Sequence, residues 1–150
     1  MTRGELAAEK FTSGYNCAQA VLLAFCDVTG LDETTAARLT SGFGGGIGRL
    51  REVCGAANGA FMVISLVYGD GEIAPREKKG ELYARIQDYA AQFKEHNGSY
   101  LCRELLAGVT ADQKPLPDSR TGEYYKKRPC ADIVRDAADL LDAYLSENPI

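Results

Sequence analysis

An all-α fold, a compact single-domain bundle of about six to seven helices with two apolar helices at its centre, follows from three observations. Apolar residues recur at helical spacing in one segment after another. Strand signals are almost absent, because β-branched residues are scattered and alternation is never sustained. The periodic segments are separated by glycine, proline and asparagine–glycine punctuation. With 150 residues the chain reads as one domain, residues 1–150, long enough to bury roughly two-thirds of its unfolded surface.

The elements follow in order. Residues 2–11 form a short opening helix that breaks at Thr12-Ser13-Gly14. Residues 15–28 form the next. There Cys17, Val21, Ala24, Phe25 and Val28 repeat at helical spacing, and Leu22 and Cys26 add a second stripe, so this helix is apolar nearly all round and central. Asp32 is a good N-cap for a third helix reaching residue 40. A loop of five glycines, Ser41-Gly42-Phe43-Gly44-Gly45-Gly46-Ile47-Gly48, then leads through Arg49-Leu50-Arg51-Glu52-Val53 to a fourth helix. That helix, residues 54–68, is again apolar on all sides and stops at Gly69-Asp70-Gly71.

Pro75 suits the start of a fifth helix that runs to about residue 96, with Leu82, Ile86, Tyr89 and Phe93 inward. Asn97-Gly98 ends it. A short helix over residues 100–107 places Cys102, Leu105 and Leu106 on one face. Residues 108–128, with Pro115, Pro117 and Gly122, form a connection of unusual length for a compact domain, read as a functional lid or a partly mobile segment. Pro129 opens the last helix. Its core face carries Cys130, Val134, Ala137, Leu141, Tyr144 and Leu145, and Asp132, Arg135, Asp136, Asp139 and Asp142 face water.

A net charge of −4 argues against a nucleic-acid partner, which needs a basic face. No apolar run approaches the ~18–20 residues of a membrane span. The opening Met1-Thr2-Arg3-Gly4-Glu5-Leu6 lacks the apolar stretch of a secretory signal, so the expected address is cytoplasmic. Thiols stay reduced there, and cysteines serve as metal ligands, catalytic groups or core filler more often than as structural disulfides.

The candidate chemistry lies in four cysteines. Cys17, Cys54, Cys102 and Cys130 each fall at the first turn of a different helix, on its apolar face, whereas Cys26 lies about 180° around its helix from Cys17 and reads as packing. A helix N-terminus lowers a thiol's pKa and favours anions. Helices packed round one core could bring the four together at one end of the bundle. Three chemistries then compete. An iron–sulfur cluster takes four cysteinates and tolerates dispersed ligands. Structural zinc fits less well, because its ligands usually come in close sequence pairs and the spacings here are long. A metal-free dithiol/disulfide couple needs two of the four and no cofactor.

The glycine loop carries a second candidate. Gly44, Gly45 and Gly46 free backbone N–H groups to approach an anion, and Arg49 and Arg51 add charge, although no strand precedes the loop and the usual phosphate signatures are missing. The alternative is a tight crossing between helices. If instead the glycine loop and Arg49 hold an anion while the cysteines merely pack, the protein is a non-catalytic binding module for an anion or small ligand. Asn58, one turn after Cys54 among alanines and glycine, needs a partner if buried: a thiolate, a cluster sulfur or a neighbouring helix end. His96 reads as a helix-terminal residue. Lys126-Lys127-Arg128 reads as a solvated run, or as charge that keeps a nearby thiol ionised.

In sequence order, Asn16-Cys17-Ala18-Gln19-Ala20-Val21, Gly42-Phe43-Gly44-Gly45-Gly46, Cys54-Gly55-Ala56-Ala57-Asn58-Gly59-Ala60, Cys102-Arg103-Glu104-Leu105 and Cys130-Ala131 resemble the C_GCAxxG_C_C family. The resemblance covers about residues 13–141. It implies a small redox-active protein whose four motif cysteines map to Cys17, Cys54, Cys102 and Cys130, with Cys26 outside the set. It also implies an accessory or electron-handling role beside transporter genes, with a redox partner. It does not choose between iron–sulfur, soft-metal and dithiol chemistry.

Overall fold

In the computed structural model the residues described are 1–107 and 112–150, without the side chains at 126 and 127. Among them the chain forms nine helices: α1 (Arg3–Thr12), α2 (Cys17–Leu23), α3 (Cys26–Thr29), α4 (Glu33–Thr40), α5 (Gly55–Tyr68), α6 (Arg76–Asn97), α7 (Cys102–Leu105), α8 (Gly122–Lys127) and α9 (Cys130–Glu147). The described residues contain no strand, only one isolated antiparallel bridge between Val53 and Leu101. The fold is all-α, as the helical periodicity predicts.

Two differences raise the helix count above the six or seven expected. The helix expected over residues 15–28 is two. At Ala24 the backbone N–H turns to the carbonyls of both Ala20 and Val21, and Phe25 then leaves the helix at φ −121°, ψ 17°. The Ala24 carbonyl, freed from the helical ladder, accepts from Arg3 Nη1 at 2.7 Å, and the Arg3 guanidinium lies over the Phe25 ring. A distant cation therefore satisfies the break, which local periodicity cannot reveal. The second difference is α8, inside the connection expected over 108–128. Thr121 caps it by accepting from the Tyr124 N–H. The first part of that expectation, 108–111, lies outside the described residues.

The centre is the crossing of α2 and α5, with α1 laid against α9. Ala18, Ala20, Val21 and Leu22 of α2 and Ala56, Ala57, Ala60, Val63 and Ile64 of α5 are all fully buried. Small residues let the backbones approach closely. A Cβ at Gly59 would stand 2.8 Å from the Ala18 carbonyl oxygen, and one at Gly55 only 3.2 Å from the Ala18 nitrogen. The end of α5 departs from the expected all-round apolar helix, since Ser65 and Leu66 are exposed.

Capping fixes where helices begin. Thr2 with Glu5, and Asn16 with Gln19, form reciprocal capping boxes at α1 and α2. On α6 only Tyr89 and Phe93 are fully buried, with Leu82 and Ile86 half-covered. The Tyr89 hydroxyl crosses to α9 and donates to the Ala137 carbonyl at 2.7 Å. Among the described residues, no helix is long and apolar enough to cross a membrane.

Candidate functional site

Three pieces of local structure position the four cysteines. Cys17 opens α2 directly after its Asn16 cap. The Asn16 side chain accepts from the Gln19 N–H at 2.8 Å and donates through Nδ2 to the carbonyls of Thr40 and Ser41, both at 3.2 Å. One amide thus ties the start of α2 to the end of α4. Cys54 and Cys102 are set by a single stretch of paired backbone: Cys54 N–H donates to Tyr100 at 2.8 Å and Cys102 N–H to Glu52 at 2.6 Å, either side of the Val53–Leu101 bridge. Cys54 is the N-cap of α5 rather than its first helical residue, and Cys102 opens α7. Cys130 follows Pro129 at the start of α9.

All four line one cavity of about 60 Å³, together with Gly45, Gly46, Arg51, Tyr124 and Arg128. Cys26 does not; its thiol points back to the Leu22 carbonyl at 3.8 Å. Each cysteine is a free thiol. Gly46 shows why glycine stands in the wall. Its φ is +72°, and a Cβ there would lie 2.6 Å from the Cys102 Cβ and 2.8 Å from the Arg51 Cα.

The thiols differ in acidity. The interaction with Cys130, together with burial, holds the Cys17 thiol well above its ordinary value. Cys130 is held below its ordinary value by its interaction with Cys17, against burial and with help from Arg128, Arg120 and Arg51. Burial pushes Cys54 up to about 12, although the N–H groups of Ala57 and Ala56 favour its thiolate. Burial also raises Cys102, opposed by Arg51, whose Nη1 lies 3.6 Å from the sulfur. A helix start is therefore insufficient here: burial raises Cys54 and Cys102, Cys130 and then burial raise Cys17, and only Cys130 is lowered, by Cys17 first and then by three arginines.

The sequence candidates divide. Gly45 and Gly46 lie in the cysteine cavity, and Gly44, Gly45 and Arg49 line a larger cleft of about 590 Å³ next to it. In the glycine loop the carbonyls of Gly44, Gly45 and Gly46 accept from the N–H groups of Arg49, Arg51 and Glu52, so the loop closes on itself, while among the described residues the N–H groups of these three glycines meet no hydrogen-bond acceptor. Asn58 stands outside both spaces and donates to the Val53 carbonyl at 3.1 Å, just ahead of its own helix rather than at a thiol or a neighbouring helix end. Arg120 and Tyr124 carry no local sequence signature and reach the site only because residues 112–128 fold back over it. Arg128, expected as solvated charge or a thiol's counter-ion, lines both spaces.

Cys17, Arg51, Gly45, Tyr124 and Arg128 are common to the cavity and the cleft, so the sulfur site adjoins a volume within the usual ligand range. Among the described residues, no group of three or more His, Cys, Asp or Glu side chains is arranged to hold a metal ion.

No curated protein and no solved structure matches the chain. A family model described as "Putative redox-active protein (C_GCAxxG_C_C)" matches residues 15–144, a span that contains all four cavity cysteines. The chain belongs to the C_GCAxxG_C_C family.

Proposed function

We propose that the protein is a thiol–disulfide redox protein whose reacting pair is Cys17 and Cys130. The observation that carries this reading is that Cys17 and Cys130 line one small cavity and perturb each other's acidity in opposite directions, while Cys17 also lines the adjoining cleft. The pair loses one proton first, leaving a Cys17 thiol beside a Cys130 thiolate. A disulfide R–S–S–R entering the cleft meets the Cys17 sulfur. As that sulfur attacks, its proton passes to Cys130, and one RS⁻ leaves. The departed thiolate then takes the Cys130 proton. Cys130 attacks the mixed disulfide at Cys17, forming the Cys17–Cys130 disulfide and expelling the second RS⁻. Two electrons pass from the cysteine pair to the substrate disulfide, and the reverse sequence oxidises a dithiol. Thiols on one cavity of about 60 Å³ have a short way to close to about 2.05 Å. Cys54 and Cys102, kept protonated by burial, form the inner wall.

A second reading is favoured by the donor set. Four soft thiols on one cavity, with Arg51 beside Cys102, have the chemistry of an iron–sulfur or soft-metal site. Cys17, Cys54, Cys102 and Cys130 would hold such a group, and it would supply one-electron transfer. The opposed acidity of Cys17 and Cys130 supports the dithiol.

An anaerobic preparation separates the two. The dithiol reading expects a colourless protein free of iron, sulfide and zinc that forms a Cys17–Cys130 disulfide when given a small disulfide. The Cys130→Ser variant stalls as a mixed disulfide on Cys17, and Cys17→Ser does not react. Stoichiometric iron and sulfide with visible absorption, or free Cys17 and Cys130 after exposure to excess disulfide, would overturn it.

A further inference from the structure

The large cleft has a charge the rest of the molecule does not share. The chain carries a net −4, yet four guanidinium groups, Arg49, Arg51, Arg120 and Arg128, line this one space. Two carboxylates answer them. Asp112 pairs with Arg49 at 3.2 Å, and Asp118 pairs with Arg128 and stands 3.9 Å from Arg49. Arg51 and Arg120 are held by neutral acceptors: the Asp112 carbonyl and the Cys102 sulfur for Arg51, and the carbonyls of Phe11 and Tyr15 for Arg120. The cleft therefore keeps about two positive charges uncompensated among its described partners.

A second observation points to a missing acceptor. Arg49 and Arg51 are only 9% and 4% exposed, and Arg49 Nε and Arg51 Nη2 are buried with no hydrogen-bond partner among the described residues. Buried N–H groups on charged side chains are rarely left unsatisfied, because each loses its water without return. Both residues hold left-handed backbone, φ +64° at Arg49 and +62° at Arg51, in positions that favour glycine. The loop thus maintains two arginines in costly conformations, with their guanidinium groups against the cleft.

We propose that this cleft binds the substrate of the cysteine pair, and that the substrate is a small anionic disulfide, one bearing a carboxylate close to its sulfurs. The inference rests on the dithiol reading for the word disulfide and on the arginines for the word anionic. The carboxylate accepts from Arg49 and Arg51 at the inner end of the cleft, where charge-assisted bonds to guanidinium are strongest. Arg51 also lines the cysteine cavity, so an anion held there brings its neighbouring sulfur to Cys17, which is common to both spaces. At about 590 Å³ the cleft suits a small molecule, and a folded protein's own disulfide would have to present itself on an extended loop.

Three short symmetrical disulfides test this on the wild-type protein: dithiodiglycolate, an anion; bis-hydroxyethyl disulfide, neutral; and cystamine, a cation. Rates of oxidation of the reduced protein are divided by those for a free small-molecule dithiol with the same disulfide, which removes intrinsic reactivity. The expected order is anion, neutral, cation, with about a tenfold advantage for the anion over the neutral compound that shrinks as salt is raised. Arg49→Gln should remove most of that advantage through KM, and Arg49→Lys should restore part of it. Equal normalised rates for all three disulfides would overturn the anionic cleft while leaving the dithiol couple standing. If none oxidises the pair, calorimetry of dithiodiglycolate against its neutral counterpart on the reduced protein decides separately. Selective anion binding keeps the anionic cleft and rejects the dithiol chemistry, whereas no binding rejects both.

Discussion

Gly59 and Gly80 allow the same substitution to be read with opposite signs. Both lie inside helices, α5 and α6, where alanine is intrinsically better than glycine by about 1 kcal/mol. At position 80 nothing stands within 4 Å of an added methyl, so Gly80→Ala should stabilise by about 0.5–1 kcal/mol. At position 59 the methyl would meet the Ala18 carbonyl oxygen at 2.8 Å and the Val21 Cβ at 3.1 Å. That oxygen belongs to the backbone of a buried helix and cannot swing aside, so α2 and α5 must separate. Overpacking of this kind costs about 1–3 kcal/mol, and a backbone clash belongs at the upper end. After the gain in helix propensity, Gly59→Ala should lose about 1–2 kcal/mol. For a chain of this length this is a fall of roughly 2–8 °C in melting temperature, against a rise of about 1–4 °C for Gly80→Ala. Thermal unfolding of the reduced proteins, followed by circular dichroism, measures both. Because Cys17 rides on α2 and Cys54 on α5, Gly59→Ala should also speed alkylation of Cys54, which Gly80→Ala leaves unchanged. A Gly59→Ala protein as stable as wild type would refute the idea that the glycines of the Cys-Gly-Ala-x-x-Gly motif serve the α2–α5 approach.

Three further outcomes are expected. Tyr89→Phe removes the buried bond to the Ala137 carbonyl and should cost about 1 kcal/mol, seen as a lower urea midpoint at unchanged slope; no change would mean that bond adds nothing. Asn16→Ala loses the cap of α2 and the tie to α4, costing about 1–2 kcal/mol and making Cys17 more reactive toward iodoacetamide, while Asn16→Asp keeps the cap and recovers part of the loss. Cys54 gives a pH dependence with a definite sign. Its folded pKa of about 12 lies above the ordinary 9.0, so between those values the unfolded thiol is ionised and the folded one is not. The contribution is full below about pH 9 and is lost as pH rises toward 12, by up to about 1.4 kcal/mol per pH unit. Denaturation at pH 8 and pH 10 should show a steeper loss in the wild type than in Cys54→Ala; parallel losses would remove Cys54 as the cause.

The reading of each helix depended on how local its cause was. Capping residues, glycine stops and the apolar stripes of α5 and α9 are local causes, and the sequence displays them directly. The division of residues 15–28 into α2 and α3 was not legible, because the group that stabilises it is Arg3, in α1. Similarly α8 lies in a segment rich in proline and charge, and its packing against the cysteine cavity rather than its propensity accounts for it.

For the site, chemical identity and helix position marked Cys17, Cys54, Cys102 and Cys130, and periodicity set Cys26 apart. Those properties are carried by each residue and its near neighbours, so sequence alone determined them. Only the tertiary structure decided the rest: that the four thiols share one cavity, that Cys17 and Cys130 shift each other's acidity in opposite directions, and that burial raises Cys54 and Cys102 while arginines from distant segments help acidify Cys130. The physical reason is that desolvation and charge proximity depend on what surrounds a group in space. Arg51 reaches Cys102 across 51 positions, and Arg120 and Arg128 arrive on a segment whose path no local pattern records.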